Sequence, residues 1–226
     1  MRPWQDDSTK PRSESLLLTS LLLLLAAATA DELPPSTPSA PLFATAYLPS
    51  GEGSYERWDW ERSYGSWLAV TTLRDVTERL AWELPLADPI LVGDLSRKGG
   101  GRMHGHKTHD KGIDADLGLY MRGGRQPLGG FVDVHPHELD LPATWAMIRA
   151  LLDTGNVHFI LLDQSLIDVL RTHVLVEEGL TPDEVDAIFP GGPVDWRRRG
   201  VVSHAPKHTS HLHVRITPPD DVPAVN

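Results

Sequence analysis

Ile113-Asp-Ala-Asp-Leu-Gly-Leu-Tyr120 and His211-Leu-His-Val-Arg-Ile216 are the two stretches that decide the fold. Both alternate. Side chains two apart on an extended chain share a face. In the first stretch Ile113, Ala115, Leu117 and Leu119 fall on one side, with Asp114, Asp116 and Gly118 on the other. In the second, His211, His213 and Arg215 oppose Leu212, Val214 and Ile216. Each predicts a strand that buries one face and presents carboxylates or imidazoles on the other.

Helical spacing surrounds these strands. Over 67–82 the apolar residues Trp67, Leu68, Val70, Leu73, Val76, Leu80 and Ala81 predict a helix with one core-facing stripe. A second helix is predicted over 142–152, opened by Pro142 and turning Trp145, Ile148, Leu151 and Leu152 inward. Two more are predicted over 164–174 and 181–189, the latter opened by the capping sequence Thr181-Pro-Asp-Glu184. Residues 90–92 and 159–162 are short strand candidates, the first stopped by Gly93-Asp94. The expected class is α+β: a small antiparallel sheet carrying the polar histidine face, with helices packed on the opposite face.

The bulk numbers narrow the function. A chain of 226 residues suits one domain with a sizeable core. The formal charge of −10 argues against a nucleic-acid partner, because no basic patch offsets it. Arg197-Arg-Arg199 is short and isolated, and reads as a solvated turn. Cysteine is absent, which excludes thiolate metal sites, disulfides and cysteine nucleophiles. Residues 1–30 read as a signal peptide: the apolar run 16–30 is shorter than the roughly 20 residues of a membrane span and ends in Ala28-Thr-Ala30. Residues 31–41 read as a Pro-rich linker, and 42–226 as the folded domain. An exported protein of the periplasm or cell envelope is expected, with no span left after cleavage.

Seven of the eleven histidines lie in two windows, His104 to His109 and His204 to His213. A mononuclear zinc site in a hydrolase takes about three protein ligands, with two imidazoles and one carboxylate leaving net positive charge to activate water. His109, Asp116 and His213 fit that set, and His211, on the same strand face, is placed to take a proton. Arg102, in a Gly-rich loop, is a candidate for holding a substrate carboxylate or an oxyanion, against a plain surface role. Asp94 is a candidate for orienting a ligand histidine, against simple turn formation, and Asp114 for a hydrogen bond to the site. Trp67, Trp82 and Trp145 are expected in the core, and Trp58 and Trp60 are the candidates for a cleft wall.

The sequence also carries a resemblance. His109 with Asp116 seven residues on, then His211-x-His213, is similar to the LAS metallopeptidases. Gly93-Asp94-Leu, Gly-Gly-Arg102, His106-Lys-Thr-His109, Gly112-x-Asp114-x-Asp116 and His208-x-x-His211-x-His213-Val-Arg215 together resemble the penicillin-insensitive murein endopeptidases. The resemblance implies an exported zinc D,D-endopeptidase that hydrolyses D-alanyl–diaminopimelate cross-links of peptidoglycan. It implies His109, Asp116 and His213 as Zn2+ ligands and His106 as a ligand or a neighbour of one. It further implies His211 as general base and His208 as a second catalytic histidine. Asp133 and His135, near where the family carries further metal contacts, match it poorly and are left out of the site. The alternatives are a zinc D-Ala-D-Ala carboxypeptidase and a non-catalytic, zinc-stabilised wall-binding domain.

Overall fold

A computed structural model describes residues 44–106, 108–127, 129–192 and 194–217. Contacts divide the chain into Met1–Ala40 and Pro41–Asn226. The expected signal peptide and linker lie outside the described residues. Among the described residues no helix is long and apolar enough to cross a membrane.

The strands are β1 (Ala46–Tyr47), β2 (Tyr55–Arg57), β3 (Tyr64–Gly65), β4 (Ile90–Val92), β5 (Asp114–Gly118), β6 (Val157–Leu162), β7 (Val201–His204) and β8 (His211–Ile216). The helices are α1 (Trp67–Glu83), α2 (Leu141–Asp153), α3 (Gln164–Val176) and α4 (Pro182–Ile188). Six strands form one sheet in the order β2-β4-β5-β8-β6-β7, and β1 pairs with β3 apart from it. The four central strands run antiparallel, as the alternation implied. Both outer pairs, β2 with β4 and β6 with β7, are parallel, so the sheet is larger than expected and mixed at its edges.

Ala115, Leu117, Leu212 and Val214 bury into the same core as Leu73 and Val76 of α1, Met147 and Ile148 of α2, and Leu166 and Leu170 of α3. The helices therefore cover the face opposite the histidines. Burying such side chains contributes about 1.5–3 kcal/mol each and fixes which way β5 and β8 face. Each helix has its start signal. Ser66 Oγ accepts from Ala69 N at 3.1 Å, Asp140 caps α2, and Thr181 with Glu184 forms a capping box on α4.

Trp145 is buried as expected, but Trp67 and Trp82 are not core residues: they are 74 % and 82 % exposed. Trp82 lies two residues beyond Leu80, about 200° round the helix, and Trp67 opens the first turn. Hydrophobicity alone put both on a stripe that Ala69, Val70, Leu73, Val76 and Leu80 already fill.

Candidate metal centre

The register of β5 on β8 assembles the site. Asp116 pairs with His213, Asp114 with Arg215 and Gly118 with His211, so two segments almost a hundred residues apart share one polar face. His109 arrives on the loop before β5, its position set by Nδ1 donating to Leu95 O at 2.8 Å. That hydrogen bond turns Nε2 toward Asp116 Oδ1, 3.3 Å away. His213 Nδ1 approaches the same oxygen at 2.9 Å. Its Nε2 donates to Asp114 Oδ1 at 3.0 Å. Asp114 is fully buried and is also gripped by Arg215 through Nε at 2.7 Å and Nη2 at 3.0 Å.

His106 repeats the device. Its Nε2 contacts Asp94 Oδ2 at 2.7 Å, that carboxylate is held by Arg62 at 2.9 Å, and its Nδ1 faces Asp116 Oδ2 at 3.9 Å. Three histidines therefore use one nitrogen on a carbonyl or an Asp–Arg pair and turn the other toward Asp116. A partner on the distal nitrogen is what fixes the tautomer and ring plane of a metal-binding imidazole.

The electrostatics follow. Burial alone would raise Asp116, yet hydrogen bonds from His109 and His213 hold it well below the usual carboxylate range. Asp114 is likewise lowered against its burial by His213 and Arg215. Burial works against charge on His213, but its bonds to Asp114 and Asp116 push it up to about 9. His109 is raised too, Asp116 outweighing burial. Such a pocket of anionic oxygen demands cationic charge, and a metal ion competes with these imidazole protons for the same lone pairs.

The donor set fits a metal. His106, His109 and Asp116 each offer one atom, all within 4.8 Å of one another, and His213 Nδ1 joins through Asp116. Metal–donor bonds of about 2.0–2.1 Å in a tetrahedron put neighbouring donors about 3.3 Å apart. The 2.9 and 3.3 Å separations around Asp116 Oδ1 are close to that. Imidazole with carboxylate suits zinc and several other first-row divalent ions.

Beside this centre stand two histidines of another kind. His211 Nε2 is 3.7 Å from Asp116 Oδ1, and its Nδ1 lies 3.1 Å from Ser210 Oγ. Burial lowers it to about 4. It is neutral at pH 7. His208 lies 5.0 Å from His211, ring centre to ring centre, with Nδ1 donating to Pro206 O at 3.1 Å, and burial lowers it as well. Phe131 stacks on His211 at 5.1 Å, and Trp58 meets Phe131 edge-on at 5.4 Å.

Other candidates sort differently. Arg102 is exposed in the loop that carries His106, with no hydrogen bond or ion pair among the described residues. Asp133 Oδ1 accepts from Thr209 at 2.5 Å, which ties the 131–135 segment to the loop before β8. His135 is exposed and stacks with His137 at 5.7 Å. His204, inside the second histidine window, lines a different cavity with Gln164, Arg171 and Asp186. Sequence reasoning did not find Arg62, which holds Asp94, or Phe131; neither stands in a pattern, and only the fold brings them here.

Histidine nitrogens converging on one buried carboxylate form a group that could hold a metal ion, and a further histidine, His211, stands alongside it. A model of the penicillin-insensitive murein endopeptidase family matches residues 44–139. The matched family is one of peptide hydrolases of the cell wall, and the matched stretch contains Asp94, His106, His109 and Asp116. The match ends before β8, so His211 and His213 join the site through strand pairing, and His208 on the loop before β8, rather than through the matched stretch. A search of curated proteins gave no match.

Proposed function

We propose that the chain is an exported zinc D,D-endopeptidase that cuts the D-alanyl–diaminopimelate cross-links of peptidoglycan. The observation that carries this is the convergence of His109 Nε2 and His213 Nδ1 on Asp116 Oδ1, with His211 Nε2 3.7 Å from that oxygen. His109, Asp116 and His213 would hold the metal, with His106 as fourth ligand or close neighbour. Zinc bound there would supply Lewis acidity, polarising the scissile carbonyl and lowering the pKa of water towards about 7.

The remaining chemistry belongs to the chain. With Nδ1–H donating to Ser210 Oγ, His211 keeps Nε2 free to accept the proton of the attacking water. Its low pKa keeps it in the accepting form at neutral pH. His211 then returns that proton to the leaving amine. His208 has its Nδ1–H committed to Pro206 O and is lowered by burial, so its Nε2 faces the site as a hydrogen-bond acceptor beside His211. Arg102, exposed and without a partner among the described residues, would meet a substrate carboxylate.

The test is mass analysis of purified cross-linked muropeptide dimers incubated with the protein, with and without a zinc chelator. Conversion of dimers to monomers, abolished by chelator, is the expected result. Release of free D-alanine from pentapeptide monomers with dimers intact would establish a carboxypeptidase instead. Binding of zinc and sacculi without cleavage would establish a wall-binding domain.

A further inference from the structure

Beyond the metal centre, one surface is built with more care than an exposed loop requires. Trp58 follows β2, its backbone fixed by Trp58 N donating to Val92 O at 2.9 Å, yet its side chain is 53 % exposed. It stands edge-on to Phe131, and Phe131 in turn lies nearly parallel to His211, at 22°. Two glycines make room for the rings. A Cβ on Gly93 would come within 2.5 Å of Phe131 Cζ, and one on Gly130 within 3.0 Å of Trp58 Cζ2. The three rings thus form a continuous ledge, from the proton acceptor outward to an open indole face.

We propose that this ledge is the stem-peptide subsite, with Trp58 packing the aliphatic part of the stem about three residues from the scissile bond; the proposal rests on the endopeptidase assignment above. Reach selects the occupant. Trp58 is two ring contacts from His211, of 5.4 and 5.1 Å, and an extended residue spans at most about 3.3–3.6 Å. A peptide whose carbonyl is attacked beside His211 therefore crosses Trp58 within about three residues. The sugar, attached at the far end of the stem, lies beyond it. A rigid indole offers apolar area at little entropic cost, which suits methyl and methylene groups. Trp58 touches substrate, not the reacting atoms, so it acts on binding.

The experiment compares the native protein with Trp58→Ala and Trp58→Phe on two dimers, one with full stems and one trimmed to the residues flanking the cross-link. On full stems Trp58→Ala should raise KM about tenfold, the equivalent of about 1.4 kcal/mol, with kcat, zinc content and Tm unchanged. Trp58→Phe should recover most of the loss. On trimmed dimers the native protein and Trp58→Ala should be alike. Equal KM on full stems, or an equal loss on both dimers, would overturn the proposal. Calorimetric binding of uncross-linked stem peptide to the zinc-loaded protein separates the two assignments. If no dimer is cleaved but Trp58→Ala weakens this binding about tenfold, the subsite stands and the endopeptidase falls; unchanged binding removes the subsite.

Discussion

Asp114 is not among the proposed metal ligands, yet the geometry of the proposed centre rests on it. It is fully buried, anchored by Arg215, and its Oδ1 takes the Nε2–H of His213, which turns the ring's Nδ1 toward Asp116 Oδ1. Asp114→Ala should lower zinc affinity about 10–100-fold, measured by competition with a chelating dye. Asp114→Asn, which keeps an accepting oxygen, should lose less; unchanged affinity in a folded Asp114→Ala protein would count against the role. The same cluster sets a pH dependence for the chelator-treated protein. His213 is raised to about 9 from 6.5, so its contribution to stability is complete below about pH 6.5 and is lost as pH rises through about 9. Asp116 is lowered, so its contribution is present above its ordinary value of 3.8 and is lost as pH falls. Tm in chelator should therefore be highest near pH 6.5, declining toward pH 9 as His213 loses its proton. It should also decline below about pH 6.5, because His211 and His208, held low by burial, take up protons more readily in the unfolded chain. A flat profile up to pH 9 would mean that His213 is not held by the two carboxylates.

At the scale of elements, the alternation in β5 and β8 placed the polar face correctly because burial on one side leaves only one phase for the other. A slip of one residue in their pairing would put Asp116 and His213 on opposite faces, sending one of them into the helix-packed core. α1 to α4 were legible for the same reason, each having both a period and a cap. β2 and β7 were not, since edge strands of three and four residues are too short to show a period and owe their state to parallel neighbours. Gly93 was legible only as a stop after β4. Its structural task is to let Phe131 lie against the strand, which depends on a loop nearly forty residues further on. Gly93 does not need a positive φ, so Gly93→Ala keeps its backbone and suffers only the 2.5 Å clash with Phe131. Displacing Phe131 loosens His211 from its stacked position. The expected outcome is a fall in kcat of at least about tenfold with zinc content retained, read from steady-state kinetics beside metal analysis. Unchanged kcat would show that His211 is held by Ser210 and its own strand alone.

At the scale of the whole molecule, the site is a junction between two parts of the chain. The matched stretch ends at residue 139, and the site's other half arrives with β8. A metal held by both halves binds the folded chain far better than the unfolded one, so zinc should raise Tm and a chelator should lower it. The same assembly poses one chemical choice. Ser210 Oγ lies 3.1 Å from His211 Nδ1, and Asp116 Oδ1 is 3.7 Å from the ring's other nitrogen, which has the outline of a serine hydrolase triad. The geometry disfavours it. The 3.7 Å gap is too long for the hydrogen bond that would orient the base, and Asp116 already accepts from His109 and His213. If water is the nucleophile, no acyl-enzyme forms, so penicillin should leave dimer cleavage unchanged while a chelator abolishes it. Ser210→Ala should then retain activity within about tenfold, since it removes only the partner that orients His211. Covalent labelling of Ser210 by a β-lactam, seen as a mass increase of the intact protein, together with cleavage that survives chelation, would replace the metal mechanism with the serine one.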